Sequence, residues 1–471
     1  MQNNWIKEAI IYEIYPRVFS EEGNFQGIIN RLQDIKDLGV NTLWLMPIHK
    51  IGMKKRKGTL GSPYAVYDHF SIHPDLGDEN DFKKLVDETH KKDLRLIIDW
   101  VAVYTAWDHN WIGQHPDWYR KNEAGEIVSP NSDWSDVAHL NYASCELQDE
   151  MIKTMSRWIE KFDIDGLRCD TAGNIYGFKP IVFWERAIKR LRTIKPEILL
   201  LAEWEDPQFH TNAFDLTYSW ALYHTLRKIK TNEKNLRDLT SLESVKIPWT
   251  EKNYQINTTI RGAGFIQELL DAQKKEFPGG ALRMRFIENH DELRAQELFG
   301  KDASRAYATV IFTLDGVPLI YNGQEIGETV RPSHFEPFKI NWEADPRDVL
   351  RTGDRKGGLR DFYKKLIRIR KENPVLYLGD IKKIPTDCDE NVYAFEKEYR
   401  NQLAAVVINF SPSFQMLNLK FPRDGIWKDL LNDETIIKSP PVNRFNRAGN
   451  QLQLAPYASH IFLYSPDERQ K

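Results

Sequence analysis

Three acidic residues stand at the ends of apolar, β-rich runs. Asp170 closes GLRCD, Glu203 closes ILLLAE, and Asp291 follows the run Leu282–Glu288 in FIENHD. Acids at the ends of neighbouring strands can converge on one pocket although they are far apart in the chain. Close carboxyl groups raise one another's pKa and burial raises them further, so one stays protonated while another stays ionised. Cleavage of a glycosidic bond needs that division. A carboxylic acid protonates the leaving oxygen, and a carboxylate attacks or shields the anomeric carbon. Arg168 lies two residues before Asp170. Residues two apart on a strand share a face, so its guanidinium would hold Asp170 ionised and oriented.

The elements that must position these groups are eight candidate strands: Ala9–Glu13, Thr42–Met46, Leu94–Trp100, Gly166–Asp170, Ile198–Glu203, Phe214–Tyr218, Leu282–Glu288 and Pro318–Tyr321. Most are continuous apolar runs, as expected of strands buried on both faces. Helical patterns lie between them, in FKKLVDETHKKD (Phe82–Asp93) and DEMIKTMSRWIEKF (Asp149–Phe162). The alternation fits a (β/α)8 barrel, and by itself fits a doubly wound sheet as well. From Ala102 to Ser144 a long irregular insert, dense in Trp, Asp, Pro and Gly, interrupts it, and such inserts are usually functional. After Pro374 short β-rich runs recur with turn signals between them, the texture of an all-β domain. The expected division is a barrel over 1–102 and 145–375, an insert over 103–144 and a β-sandwich over 376–471.

The 471 residues carry 65 basic and 68 acidic side chains, a net charge of −3. So small a net charge argues against a general nucleic-acid binder. Cys145, Cys169 and Cys388 are the only cysteines and show neither a disulfide framework nor a metal spacing. No long apolar core follows a basic start at the N-terminus, and no run of about 18 apolar residues could span a membrane. Cellular location and oligomeric state stay open. The glycines at Gly262–Gly264 and Gly279–Gly280 lack any dinucleotide or P-loop pattern, so no nucleotide cofactor is implied. The basic run Lys54–Lys57 reads as a solvated loop rather than an anion site.

IIYEIYPRVF, GVNTLWLMPI, SPYAVYDHFSIHPDLGDENDFKKLVDETH, LRLIIDWV, DGLRCD, LLLAEW, FIENHD and GVPLIYNGQEIG follow one another in the order and spacing of the strand motifs of the α-amylase family. The chain thus resembles glycoside hydrolases of family 13 over nearly its whole length. The stretches SPYAV and DWSDV are most similar to bacterial members active on maltooligosaccharides. The resemblance implies a (β/α)8 TIM barrel with a small domain B after strand 3 and a C-terminal all-β sandwich. It implies Asp170 as nucleophile, Glu203 as general acid and base, and Asp291 as transition-state stabiliser. It further implies Arg168 as partner of Asp170, His290 as a sugar-hydroxyl donor, Tyr64 as the platform under that sugar, and Asp99 as the brace of Arg168. Such enzymes retain anomeric configuration through two inversions.

The third-strand motif departs from the family. Val103 stands where Asn is expected and Tyr104 where His is expected. Valine offers no side-chain oxygen and calcium needs about six to eight oxygen ligands, so the family's usual calcium site is not expected here and no cofactor is required. Asp108, Asp117, Asp133 and Asp136 read as a solvated acidic loop, and Glu205 as structural or at the rim. Tyr104 keeps a donor for the sugar at longer reach. The leading expectation is a retaining hydrolase of α-1,4-linked glucans or maltooligosaccharides. A transglycosylase or isomerase with the same site, using acceptor-side aromatics such as Trp107, Trp111, Trp118 and Trp204, and a non-catalytic carbohydrate-binding relative are the alternatives.

Overall fold

A computed structural model describes residues 4–232, 262–342, 358–432 and 450–466, with the short strand segments 245–246, 253–254 and 436–439. The remaining parts of the expected second barrel segment and C-terminal domain lie outside the described residues. Eight parallel strands form the barrel: β1 (Ile11–Ile14), β2 (Thr42–Leu45), β3 (Arg95–Trp100), β4 (Gly166–Cys169), β5 (Leu199–Ala202), β6 (Leu216–Tyr218), β7 (Leu282–Arg285) and β8 (Val317–Tyr321). They close in the order β1-β8-β7-β6-β5-β4-β3-β2. All eight sequence-read strands are present, and the closure excludes the doubly wound alternative.

Strand composition explains the barrel. β2, β4 and β5 are buried at every position, which suits apolar runs enclosed by side chains inside and helices outside. The helices are set by local signals. Glu79–His90 opens on a capping box between Asp78 and Asp81 and buries Phe82, Leu85 and Val86. Cys145–Phe162 starts where the Ser144 side chain accepts the Leu147 N–H, and stops at Asp163 in the left-handed region, φ 62°.

Asp170 and Glu203 lie one residue beyond the regular strands β4 and β5. The ladder still reaches them: Asp170 N–H donates to Trp100 O and Glu203 N–H to Cys169 O, both at 3.0 Å. Their backbones are therefore fixed while their side chains turn toward the mouth of the barrel.

The insert after β3 is more regular than its sequence suggests. Tyr104–Ala106 pairs antiparallel with Val137–His139, a short helix spans Asn110–Gln114, and Trp111, Trp118 and Tyr119 are buried. The C-terminal region holds a six-stranded antiparallel sheet and a second pair, Gln415–Leu419 with Asn450–Leu454. Leu417, Leu419 and Leu454 of the pair share one core with Val392, Ala405, Val407 and Phe462 of the large sheet, which makes a sandwich. Among the described residues no helix is long and apolar enough to cross a membrane.

Candidate active site

One fully buried guanidinium organises the mouth of the barrel. Arg168 Nη1 donates to Asp99 Oδ1 at 2.9 Å and to Asp170 Oδ1 at 2.8 Å. Its Nη2 lies 2.9 Å from Glu203 Oε1, and its Nε donates to the Tyr218 hydroxyl at 3.0 Å. β3, β4, β5 and β6 thus each send one group to this cation.

One positive charge among three buried carboxyl groups leaves too much negative charge for all three to ionise. Burial is the largest influence on Glu203 and raises it to about 8; Arg168 opposes this, and Asp170 and Asp291 add to it. Asp99 is raised to about 7, again chiefly by burial against the pull of Arg168. Glu203 therefore carries its proton at neutral pH. Its Oε2 accepts the Thr171 N–H at 2.7 Å, which fixes the direction of the carboxyl group.

A second cluster sits across the pocket. His290 Nδ1 is 2.5 Å from Glu13 Oε1, and its Nε2 is 2.7 Å from the Tyr64 hydroxyl and 3.2 Å from Asp291 Oδ2. Burial works against the imidazolium, but Asp291 and Glu13 outweigh it and raise His290 to about 9. Burial would lift the Asp291 carboxyl too; His290, then His334 and Arg168, bring it below its usual value. The Asp291 side chain is 39% exposed, the most open of the three acids. The Tyr64 ring stacks on His290 at 5.7 Å and 20°, and its hydroxyl donates to Asp99 at 3.1 Å.

These groups border a cavity of about 370 Å³, at the small end of the about 300–1,000 Å³ usual for ligand sites. Asp170, Glu203, Asp291, His290, Tyr64 and Tyr104 all line it, so the structure brings these six together. Arg168 and Asp99 do not reach the wall. Both are fully buried behind it, so they bear on substrate only through the groups they hold. Tyr104 does not stand free for a sugar as the sequence suggests, because its hydroxyl donates to Asp170 Oδ2 at 2.5 Å. Trp107, Trp111, Trp118 and Trp204 are absent from the cavity wall; Trp134, Trp220 and Phe335 join Tyr64 and Tyr104 in its aromatic surface. Glu205 is fully buried, accepting from Ala221 N–H at 2.8 Å and Gln273 Nε2 at 2.7 Å, a structural position and not a rim.

Sequence reasoning missed Glu13, Trp134, Trp220 and His334. Glu13 had a signal, a charged residue inside a wholly apolar strand. Trp220 and His334 had none. Trp220 and His334 line the cavity, and among the described residues the Trp220 indole Nε1 and His334 Nε2 are buried without a hydrogen-bond partner. Lys57 also lines it, drawn in by Asp136 at 3.2 Å, whereas Lys54 and Lys55 are exposed as expected of a solvated loop.

The insert's acids do not gather. Asp108 accepts the Met53 N–H at 2.8 Å, Asp117 and Asp133 are exposed, and Asp136 is buried against Lys57. Val103 packs in an apolar cluster with Met46, Val66 and Val101, and its carbonyl accepts the Leu140 N–H at 3.0 Å. That environment does not fit calcium.

A proton-bearing carboxyl and an arginine-paired carboxylate facing one cavity, at the strand ends of a (β/α)8 barrel, are the equipment of a glycoside hydrolase. The family model described as alpha amylase, catalytic domain, matches residues 13–356, and that for the alpha amylase C-terminal all-beta domain matches residues 385–464. The chain belongs to the α-amylase family, family 13 of the glycoside hydrolases, and is a glycosidase of that type. Alpha-amylase 3 of Dictyoglomus thermophilum is 27% identical over 97% of this chain and 93% of its own. The crystal structure of an alpha-amylase from Lactobacillus plantarum superposes with a TM-score of 0.80 at 28% identity, covering 98% of this chain and all of that one. A noncanonic maltogenic alpha-amylase from Thermotoga neapolitana gives 0.79 at 26% identity, with 98% and 99% coverage.

Proposed function

We propose that the protein hydrolyses α-1,4-linked glucans or short maltooligosaccharides with retention, through a covalent glycosyl intermediate on Asp170. The observation that carries this is the single Arg168 guanidinium gripping both Asp170 and Glu203. That grip favours the close carboxyl spacing of retaining enzymes, about 5–5.5 Å, over the wider gap in which inverting enzymes hold a water. Asp170 attacks the anomeric carbon while Glu203 gives its proton to the leaving oxygen. Water then enters, Glu203 takes its proton, and the sugar leaves Asp170. Asp291 and the imidazolium of His290 hold sugar hydroxyls as the ring flattens toward an oxocarbenium ion, with Tyr64 beneath the ring. Arg168, braced by Asp99, orients Asp170. The domain boundaries read from the sequence belong to the same proposal: the barrel (1–102, 145–375) supplies the acids, the insert (103–144) one wall, and the sandwich (376–471) packs outside. No calcium is proposed beside Val103.

The test is Asp170→Asn assayed on maltotriose to maltoheptaose, with the anomeric form of fresh product followed by proton NMR. Loss of cleavage in the variant and α-product from the wild type are expected. Undiminished cleavage or β-product refutes the mechanism. Longer or relinked products at high substrate would assign transfer to a sugar in place of water.

A further inference from the structure

We infer that Tyr104 is a positioning residue for the second half-reaction, drawing Asp170 off the sugar when the glycosyl intermediate breaks down. The inference rests on the reading of Asp170 as nucleophile. Both oxygens of that carboxylate are engaged. Oδ1 accepts from Arg168 at 2.8 Å. Oδ2 accepts from the Tyr104 hydroxyl at 2.5 Å and from Thr171 Oγ1 at 3.2 Å. Tyr104 is therefore the principal donor to one half of the nucleophile.

Its placement is firm. The Tyr104 backbone pairs with His139 in the hairpin of the insert, its ring meets Trp134 edge-on at 5.6 Å, and it is 5% exposed within a cluster of Met46, Val66, Val101 and Val103. Burial, and then the charge of Asp170, hold the phenol proton far above its ordinary range. It stays a donor wherever the enzyme is folded.

A hydrogen bond to a carboxylate is roughly twice as strong as one between neutral groups. In the intermediate Asp170 is an ester, its charge is gone, and the bond from Tyr104 weakens. In the second step water adds to the anomeric carbon and Glu203 accepts the water proton. The bond from that carbon to Asp170 breaks, its electron pair returns to the carboxylate, and the Tyr104 bond regains its strength as the charge reappears. Tyr104 thus lowers the barrier to release. It stabilises the free carboxylate equally, so it gives no help to the first step, in which that charge is consumed.

The two steps separate kinetically with 4-nitrophenyl α-maltotrioside, whose leaving group makes breakdown of the intermediate rate-limiting. For Tyr104→Phe the expected result is kcat reduced about tenfold or more, with KM reduced alongside and kcat/KM within about threefold of wild type or higher. A burst of nitrophenol equal to the enzyme present should appear, with a covalent glycosyl adduct in the intact mass. Thr171→Val, which removes the weaker donor to the same oxygen, should shift the same way by less, and serves if the first variant does not fold. Parallel loss of kcat and kcat/KM without a burst in either variant overturns the inference and leaves the proposed function standing. Wild-type inactivity, or activity that survives Asp170→Asn, removes the proposed function and this inference with it.

Discussion

Replacement of Glu203 by Gln tests whether burial beside Arg168 makes this residue the acid. A carboxyl at its ordinary value of 4.5 would hold a proton in about 0.3% of molecules at pH 7; raised to about 8, it holds one in about 90%, a bias of about 5 kcal/mol. General acid catalysis contributes about 10²–10⁴ in rate. Glu203→Gln is isosteric and preserves an acceptor for the Thr171 N–H, so the fold should stand. Cleavage of maltotriose should fall about 10³-fold. Formation of the intermediate from maltosyl fluoride, which needs no protonation of its leaving group, should fall less than about tenfold, with azide restoring turnover. The pH profile of the wild type follows with its sign. The acid form is lost as pH rises, so kcat/KM for maltotriose should decline above about 8, and the fluoride should show no such limb from this residue. Equal losses on both substrates, or a limb at the same pH for the fluoride, would refute the argument that Glu203 works by its proton.

Glu13→Gln removes one of the two carboxylates that keep His290 charged. Because His290 is raised in the folded state, its contribution to stability is complete below about 6.5 and fades as pH rises through about 9; the variant should lose about 1.5–3 kcal/mol at pH 6, and progressively less above pH 9, in urea denaturation. Trp220→Phe keeps an aromatic ring on the cavity wall and deletes a buried N–H that has no partner among the described residues; kcat/KM for maltooligosaccharides should stay within about threefold of wild type, with the melting temperature unchanged or higher. Exhaustive chelation with EDTA should leave activity and melting temperature as they were, because Val103 and its engaged carbonyl offer calcium nothing; calcium-dependent recovery of either would contradict that.

The barrel strands were legible because burial on both faces forces continuous apolar runs, and β2, β4 and β5 are of that kind. That the acids share one pocket was legible only from their motifs taken together, because a single carboxylate ending such a run is as readily a cap or an ion-pair partner. What escaped was set by packing between distant segments. Trp111 and Trp118 read as acceptor-side aromatics, yet they are buried in the large apolar core, with Trp111 stacked on His69. Trp220 reaches the cavity from the first residue of the helix Trp220–Thr231 and His334 from a loop, and no local pattern records either approach. Lys57 looked solvated because a short charge run carries no sign of its partner, Asp136. Tyr104 was placed in the right region with the wrong contact, since its place in a family motif fixes a position along the chain and not the reach of a phenol to Asp170.

β1 closes the barrel on β8, pairing Ile11 with Leu319, and Glu13 of β1 meets His290 from the segment that follows β7. A chain emerging from the ribosome N-terminus first therefore carries Asp170 and Glu203 long before the last staves arrive. Until they do, the half-built vessel has no proper seat for the imidazolium, and enzymatic competence must switch on late in synthesis rather than grow with chain length.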